Sequence, residues 1–207
     1  MALMRHLLWL REHRSKYDRL LTRALELRGA EKATSDALIE RVVIGLHDSF
    51  ALAARNIVLD SAAGKTVTRT GRQLTKTVAL TGFAGPLEFL RHRWAHNKKM
   101  PNSWEPDWFM PDNSIRAATL LQVANEIEIT NGLGALINID RLRATRNVIV
   151  HCLPNTWQRF RELNDQLGFH PMRFPPDLVM SYDPNTKNRY IDDWMSEIED
   201  SIVIAIE

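Results

Sequence analysis

The chain has 207 residues, 44% of them hydrophobic and 25% charged, and its formal net charge is +2. These values are ordinary for a globular protein, and a chain of this length can bury about 70% of its unfolded surface without a metal or a disulfide. Its single cysteine excludes an internal disulfide framework and fits a reducing compartment. Charges interrupt the apolar residues near the start, and no apolar run approaches the roughly 20 residues that span a bilayer. We therefore expect a cytoplasmic protein without a membrane segment, folded as one domain over residues 1–207.

Charge is unevenly distributed along the chain. Residues 61–104 contain eight basic residues and one acid, which gives 8 − 1 = +7. Residues 177–207 contain two basic residues and eight acids, which gives 2 − 8 = −6. This separation predicts a polyanionic partner, or pairing of the two segments within the molecule or between subunits. Two solvent-exposed faces, one basic and one acidic, would produce the same pattern.

Apolar residues recur at three- and four-residue steps along most of the chain, which predicts an all-α fold, a helical bundle. The first two helices are long enough to pack as an antiparallel αα-hairpin, and residues 34–36 offer a cap for the second. Asn113 or Ser114 can cap the fourth helix, and Asn155 or Thr156 the sixth. The predicted helices are 2–28, 34–62, 87–98, 114–128, 140–153, 155–168 and 191–205.

The segments between these helices are predicted from their turn residues. Residues 99–113 contain three prolines and form an aromatic loop. We expect Trp104, Trp108 and Phe109 in this loop to pack on the core rather than stack on bases. The remaining predictions are a basic connection over 64–85 with one short helix around 72–80, a chain break at 131–134, a loop over 169–177, and a small β-hairpin of 178–182 with 189–191.

The stretch from Asp140 to Pro154 predicts a short helix with a clear start and stop. The Asp140 carboxylate can cap the first turn, and a proline at 154 cannot continue a helix. Five residues fall at helical spacing and would form the buried stripe. They are Leu142, Thr145, Val148, Ile149 and Cys152.

Three polar side chains then lie near one side of the end of this helix. At about 100° per residue, Asn147 and His151 are only about 40° apart around the axis, and the long Arg146 side chain can reach them. Such a trio suits a phosphodiester, because the cation neutralises phosphate, the amide orients it and the imidazole moves protons. The alternative is a helix end at which the cation and the imidazole compensate the carbonyl dipole.

Other candidate sites are weaker. The Arg-to-His spacing alone is unspecific, since Arg91 and His96 repeat it. Glu88, His92 and His96 could share one helix face, but their cationic surroundings disfavour a metal, and we predict a basic face that contacts nucleic acid. Cys152 does not face the preceding histidine, because adjacent helical residues point about 100° apart. We expect no metal and no cofactor, and the candidate RNA-binding residues are Arg91, Arg93, Lys98, Lys99 and Arg143.

The run Arg-Asn-Val-Ile-Val-His, residues 146–151, resembles the Arg-x4-6-His signature of the HEPN superfamily (higher eukaryotes and prokaryotes nucleotide-binding). The Arg-Asn opening is the one favoured in its ribonucleolytic members. Residues 46–59 resemble the long early helix that packs against the motif helix in that fold. The resemblance covers residues 34–168, with 2–28 and 169–207 as additions to the core.

The resemblance implies a function as well as a fold. Many HEPN domains are metal-independent RNA endonucleases of toxin–antitoxin or antiphage systems, in which two protomers form one composite cleft. On this chain it implies a homodimer acting on RNA through Arg146, Asn147 and His151, with an antitoxin or another defence protein as a further partner. Leu153 stands where some HEPN toxins carry a tyrosine that is adenylylated, so that mode of control is not expected here. The alternative function is a non-catalytic helical subunit that binds RNA or protein.

Overall fold

A computed structural model describes residues 2–64, 66–95 and 105–207 of the protein. Within these residues the fold is all-α, as predicted, and β-structure is limited to isolated bridges. One short 3-10 helix, η1, covers Val78–Leu80. The α-helices are α1 (Met4–Leu27), α2 (Lys32–Ala63), α3 (Pro86–Ala95), α4 (Pro111–Leu121), α5 (Glu126–Gly134), α6 (Ile139–His151), α7 (Pro154–Gln166), α8 (Pro175–Val179) and α9 (Tyr190–Ala205).

The two long helices at the start of the chain are confirmed, but the predicted cap of the second is wrong. Helix α2 already begins at Lys32. Ser35 lies inside it, fully buried, and its hydroxyl donates to the backbone oxygen of Ala24 in α1 at 2.8 Å. Ser35, one of the predicted cap residues, therefore connects α2 to α1 by a hydrogen bond.

By length and composition alone, α2 is apolar enough to cross a membrane, with a mean hydropathy of 1.4 over its most apolar 18 residues. In the folded chain 56% of that window is buried inside the protein. Buried core helices of globular proteins pass the same test.

The described residues fall into two compact units. The first unit is drawn from 1–11, 49–136 and 198–207, and the second from 12–48 and 137–197. Helices α1, α2 and α9 therefore contribute residues to both units.

In the first unit, part of the basic middle of the chain pairs with acids. The guanidinium of Arg69 pairs with the carboxylate of Glu207, and its backbone N–H donates to Ile206 at 2.7 Å. Arg72 pairs with Glu128 at 2.7 Å. Pairing of the basic and acidic segments within the molecule is thus confirmed for Arg69. The predicted helix around 72–80 is reduced to η1, and Val67 instead forms isolated bridges with Ala2 and Gln73.

The predicted single helix over 114–128 is wrong, because two helices occupy this region. Helix α4 starts at Pro111 rather than after an Asn113 or Ser114 cap, and ends where Gln122 adopts a left-handed φ of 52°. Helix α5 then runs through Gly132, where a chain break was expected. A Cβ on Gly132 would lie 2.4 Å from the backbone oxygen of Ser201 in α9. Close packing of two helices, not a turn, therefore requires this glycine.

In the second unit, helix α6 begins at Ile139, and the predicted capping role of Asp140 is wrong. The residue that precedes the helix, Asn138, makes no side-chain cap. Instead the carboxylate of Glu197, in α9, accepts the backbone N–H of Asn138 at 3.0 Å and also that of Ile137. Asp140 is left exposed in the first turn, where a carboxylate is still favourable to the helix dipole.

The predicted β-hairpin is also wrong. Residues 178–179 belong to α8, and α9 begins at Tyr190. Only one antiparallel bridge, between Tyr182 and Arg189, fits between these helices. The turn it closes is held by the backbone hydrogen bond from Asp183 to Asn188 at 2.9 Å.

Candidate active site

Helices α6 and α7 are joined by a very short connection. Helix α6 ends at His151, Cys152 adopts a left-handed φ of 47°, and Pro154 is already the first residue of α7. Proline is favoured at that position because it needs no N–H donor there. The Thr156 hydroxyl accepts the backbone N–H of Leu153 at 3.0 Å. The predicted stop of α6 is confirmed, and Thr156 closes the first turn of α7 from inside the helix.

The buried stripe of α6 is confirmed for its first three members and differs at its end. Leu142, Thr145 and Val148 are buried. Ile149 is half-buried, and Cys152 is exposed. Because Cys152 adopts a left-handed backbone conformation, its side chain leaves the stripe. The prediction that Cys152 is buried is wrong.

Three polar side chains meet at the end of α6, as the helical spacing predicted. Nη1 of Arg146 lies 3.2 Å from Oδ1 of Asn147 and 3.2 Å from Nε2 of His151. Arginine can only donate, since its guanidinium stays protonated. A hydrogen bond between these two atoms therefore requires Nε2 of His151 to be the acceptor.

The Arg146 guanidinium has one nitrogen without a partner among the described residues. Its side chain is half-buried, and its Nε is buried without a hydrogen-bond partner among the described residues. Leaving a buried donor unpaired costs on the order of 1–3 kcal/mol.

His47 in α2 lies in the electrostatic field of this cluster. It is only 4% exposed. Burial lowers the pKa of the His47 imidazole; a hydrogen bond with Asp48 opposes this shift, and the charges of Arg146 and Arg143 add to it. A neutral His47 is therefore the form that the folded protein favours.

We expect the protein to lose stability in mild acid through His47. Its folded pKa lies below the unfolded value of about 6.5, so the unfolded chain binds more protons between these two values. The contribution is complete above about pH 6.5 and is lost as the pH falls through the folded pKa. Urea unfolding at pH 7.5 and 5.0 should show a smaller acid-induced loss for His47→Gln than for wild type.

His170→Gln is the control for this measurement, since the His170 side chain is 74% exposed. This variant should keep the acid-induced loss of the wild type. An equal loss in wild type and His47→Gln would contradict the assignment.

An open cleft of about 600 Å³ lies between α6 and α7 and includes two of the three predicted residues, Asn147 and His151. Arg146 is not part of its lining, and it reaches the edge of the cleft through its hydrogen bond to His151. The remaining lining residues are Asp140, Arg143, Ala144, Leu153, Asn155, Thr156, Arg159 and Glu162.

Sequence reasoning missed the α7 side of this cleft. Asn155, Arg159 and Glu162 recur at steps of four and three residues, which places them on one helical face. That spacing was available in the sequence. Which face of α7 turns toward α6, however, depends on the two-residue connection.

The predicted RNA-binding residues have different surroundings. Arg143 lines the cleft and pairs with Asp140 at 3.1 Å. Arg91, in the first unit, is 3.4 Å from Glu105, and the Arg93 guanidinium lies 5.8 Å from the centre of the Phe89 ring. Lys98 and Lys99 lie outside the described residues, as do His96 and Trp104. Trp108 is buried, as predicted.

Comparison with known protein families, with curated proteins and with solved structures finds no match for this chain. The resemblance to HEPN domains therefore depends on the motif in α6 and on the helices around it.

Proposed function

We propose that the protein is a metal-independent RNA endonuclease of the HEPN type, acting through Arg146, Asn147 and His151. One observation carries the proposal: the Arg146 guanidinium is hydrogen-bonded to both Asn147 and His151 at the edge of an open cleft. A cation beside an imidazole is the pair of groups that phosphodiester cleavage needs.

In the proposed reaction the RNA supplies its own nucleophile. Nε2 of His151 takes the proton of a 2′-OH, the 2′-oxygen forms a bond to the adjacent phosphorus, and the bond from phosphorus to the 5′-oxygen breaks. The products are a 2′,3′-cyclic phosphate and a 5′-hydroxyl, whose proton comes from a general acid. A second His151, from a partner subunit, is the natural acid, because an imidazole can serve as general base or as general acid.

Arg146 and Asn147 have separate roles in this mechanism. When a phosphodiester enters, the guanidinium turns from Nε2 of His151 to the phosphate oxygens and stabilises the negative charge of the phosphorane. Asn147, which accepts from the same Nη1, orients the guanidinium. The cation thus supplies the charge stabilisation that a metal ion gives in other nucleases.

The surface around His151 favours a homodimer with the site at its interface. Val150 and Leu153, on either side of the histidine, are apolar side chains that are 43% and 51% exposed. A second copy would cover them and bring a second His151. The HEPN resemblance extends this proposal to a cytoplasmic toxin–antitoxin or antiphage role with a regulatory protein partner.

The test is cleavage of an RNA strand by the wild-type protein in EDTA. We expect products that end in a 2′,3′-cyclic phosphate, and none from a strand with a 2′-deoxy nucleotide at the cleaved position, because the nucleophile is missing. Cleavage of the 2′-deoxy strand, or cleavage only with added metal, would contradict the mechanism. Binding of RNA without cleavage would favour the alternative function, a non-catalytic binding subunit.

A further inference from the structure

Two polar helical faces form the walls of the cleft beyond His151. On α6 the lining residues recur at 140, 143, 144, 147 and 151, and on α7 at 155, 156, 159 and 162. Both series follow helical steps of three and four. Several apolar residues of the two helices, such as Leu142 and Phe160, are buried elsewhere in the unit. The cleft is therefore a polar groove formed by two side-by-side helices.

The size of the groove fits a nucleotide. Its volume of about 600 Å³ lies inside the range of about 300–1,000 Å³ that is usual for small-molecule and cofactor sites. Asn147 and His151 lie at one part of its lining, and Arg159 lies on the opposing helix. A strand whose scissile phosphate sits at His151 has room to continue along the groove.

Two cations and two acids line the groove, and one of the cations makes no ion pair among the described residues. Arg143 is paired with Asp140 at 3.1 Å, and the Glu162 carboxylate accepts from Gln158 at 3.2 Å. Arg159 is exposed and has no hydrogen bond or ion pair within the described part of the chain. Asn155 and Thr156, in the first turn of α7, place the positive end of the helix dipole at the same groove.

We infer that Arg159 binds the RNA phosphate next to the scissile one, so that the α6–α7 groove holds the intervening nucleotide. This inference rests on the proposed function for the position of the scissile phosphate. A guanidinium binds phosphate oxygens through paired, charge-assisted hydrogen bonds, and this one makes no ion pair within the described part of the chain. Arg159 is thus a substrate-binding residue that determines how the strand enters the site.

The test compares Arg159→Gln with Arg161→Gln. Arg161 is exposed on the same helix, about 200° around the axis from Arg159, and it does not line the groove. Both variants remove one positive charge, so they differ only in the face from which it is lost. Binding is measured by fluorescence anisotropy with a 2′-O-methyl RNA strand, which cannot be cleaved, over a range of salt concentrations.

We expect Arg159→Gln to weaken binding about tenfold or more, as the loss of a charge-assisted hydrogen bond predicts. The slope of log affinity against log salt should fall by about 0.7, the value for one phosphate contact on a single strand. Arg161→Gln should change neither quantity appreciably. Equal effects of the two variants, or an unchanged affinity in Arg159→Gln with the fold intact by circular dichroism, would overturn the inference.

Cleavage assays on the same proteins separate this inference from the proposed function. A protein that binds through Arg159 but cuts no RNA would support the groove and refute the endonuclease. A protein that cuts RNA equally well with either substitution, and binds equally well, would refute the groove and leave the endonuclease intact.

Discussion

Replacing His151 with alanine is expected to slow RNA cleavage by about 10²–10⁴-fold, the usual contribution of a general acid or base. A second His151 in a composite site would move the loss toward the upper end, because one substitution then removes both proton-transfer groups. Arg146→Ala is expected to cost about 10²–10³-fold, the range for one preorganised charge-stabilising donor. Single-turnover cleavage rates with enzyme in excess measure both effects.

The controls separate lost chemistry from lost structure. His170→Ala removes an exposed histidine from the same unit and should cleave at the wild-type rate. The double variant of Arg146 and His151 should be scarcely slower than the worse single variant, because groups that act as a unit are not additive. Wild-type rates in both single variants would refute the assignment of the site. A strictly monomeric protein that still cleaves would refute the composite site.

Gly132→Ala is expected to lower the free energy of unfolding by about 3 kcal/mol, at the upper end of the range for overpacked cores. The added methyl group would lie 2.4 Å from the backbone oxygen of Ser201 and 2.7 Å from the backbone nitrogen of Ala205. Backbone atoms inside a helix cannot turn aside as a flexible side chain can. Helices α5 and α9 would have to separate, which removes neighbouring apolar contacts as well.

Gly134→Ala is a matched control in the same helix. A Cβ at Gly134 meets its nearest atom, on Ile115, at 3.9 Å, which is ordinary van der Waals contact. Alanine favours a helix over glycine by up to about 1 kcal/mol, so this variant should be neutral or slightly more stable than wild type. Urea unfolding of the two variants checks the prediction, and equal free energies of unfolding would contradict it.

Helix positions could be predicted from the sequence because each long helix repeats its apolar residues at the same steps. Helix ends could not, because distant residues determine them. Glu197 supplies the cap that Asp140 was expected to give, and Ser35 bonds to α1 instead of capping α2. The residues around Gly132 likewise cannot reveal that α9, from the end of the chain, packs against this glycine.

Only part of the candidate site could likewise be predicted from the sequence. Arg146, Asn147 and His151 lie on one helix, so their angular spacing alone predicted that they would meet. Arg159 belongs to the next helix, α7. Its position opposite these three residues depends on Cys152, the left-handed residue between α6 and α7. The burial of His47 likewise comes from tertiary packing, which its neighbours in the sequence do not determine.

The short connection between α6 and α7 determines which substitutions would affect activity and which would affect folding. Every residue that lines the cleft belongs to one uninterrupted segment, residues 140–162. The proposed cleavage and the proposed binding of the strand thus depend on one local segment, while the remaining helices support its fold. Substitutions inside the segment can abolish activity in a protein that melts normally, whereas most inactivating changes elsewhere would do so by reducing the amount of folded protein.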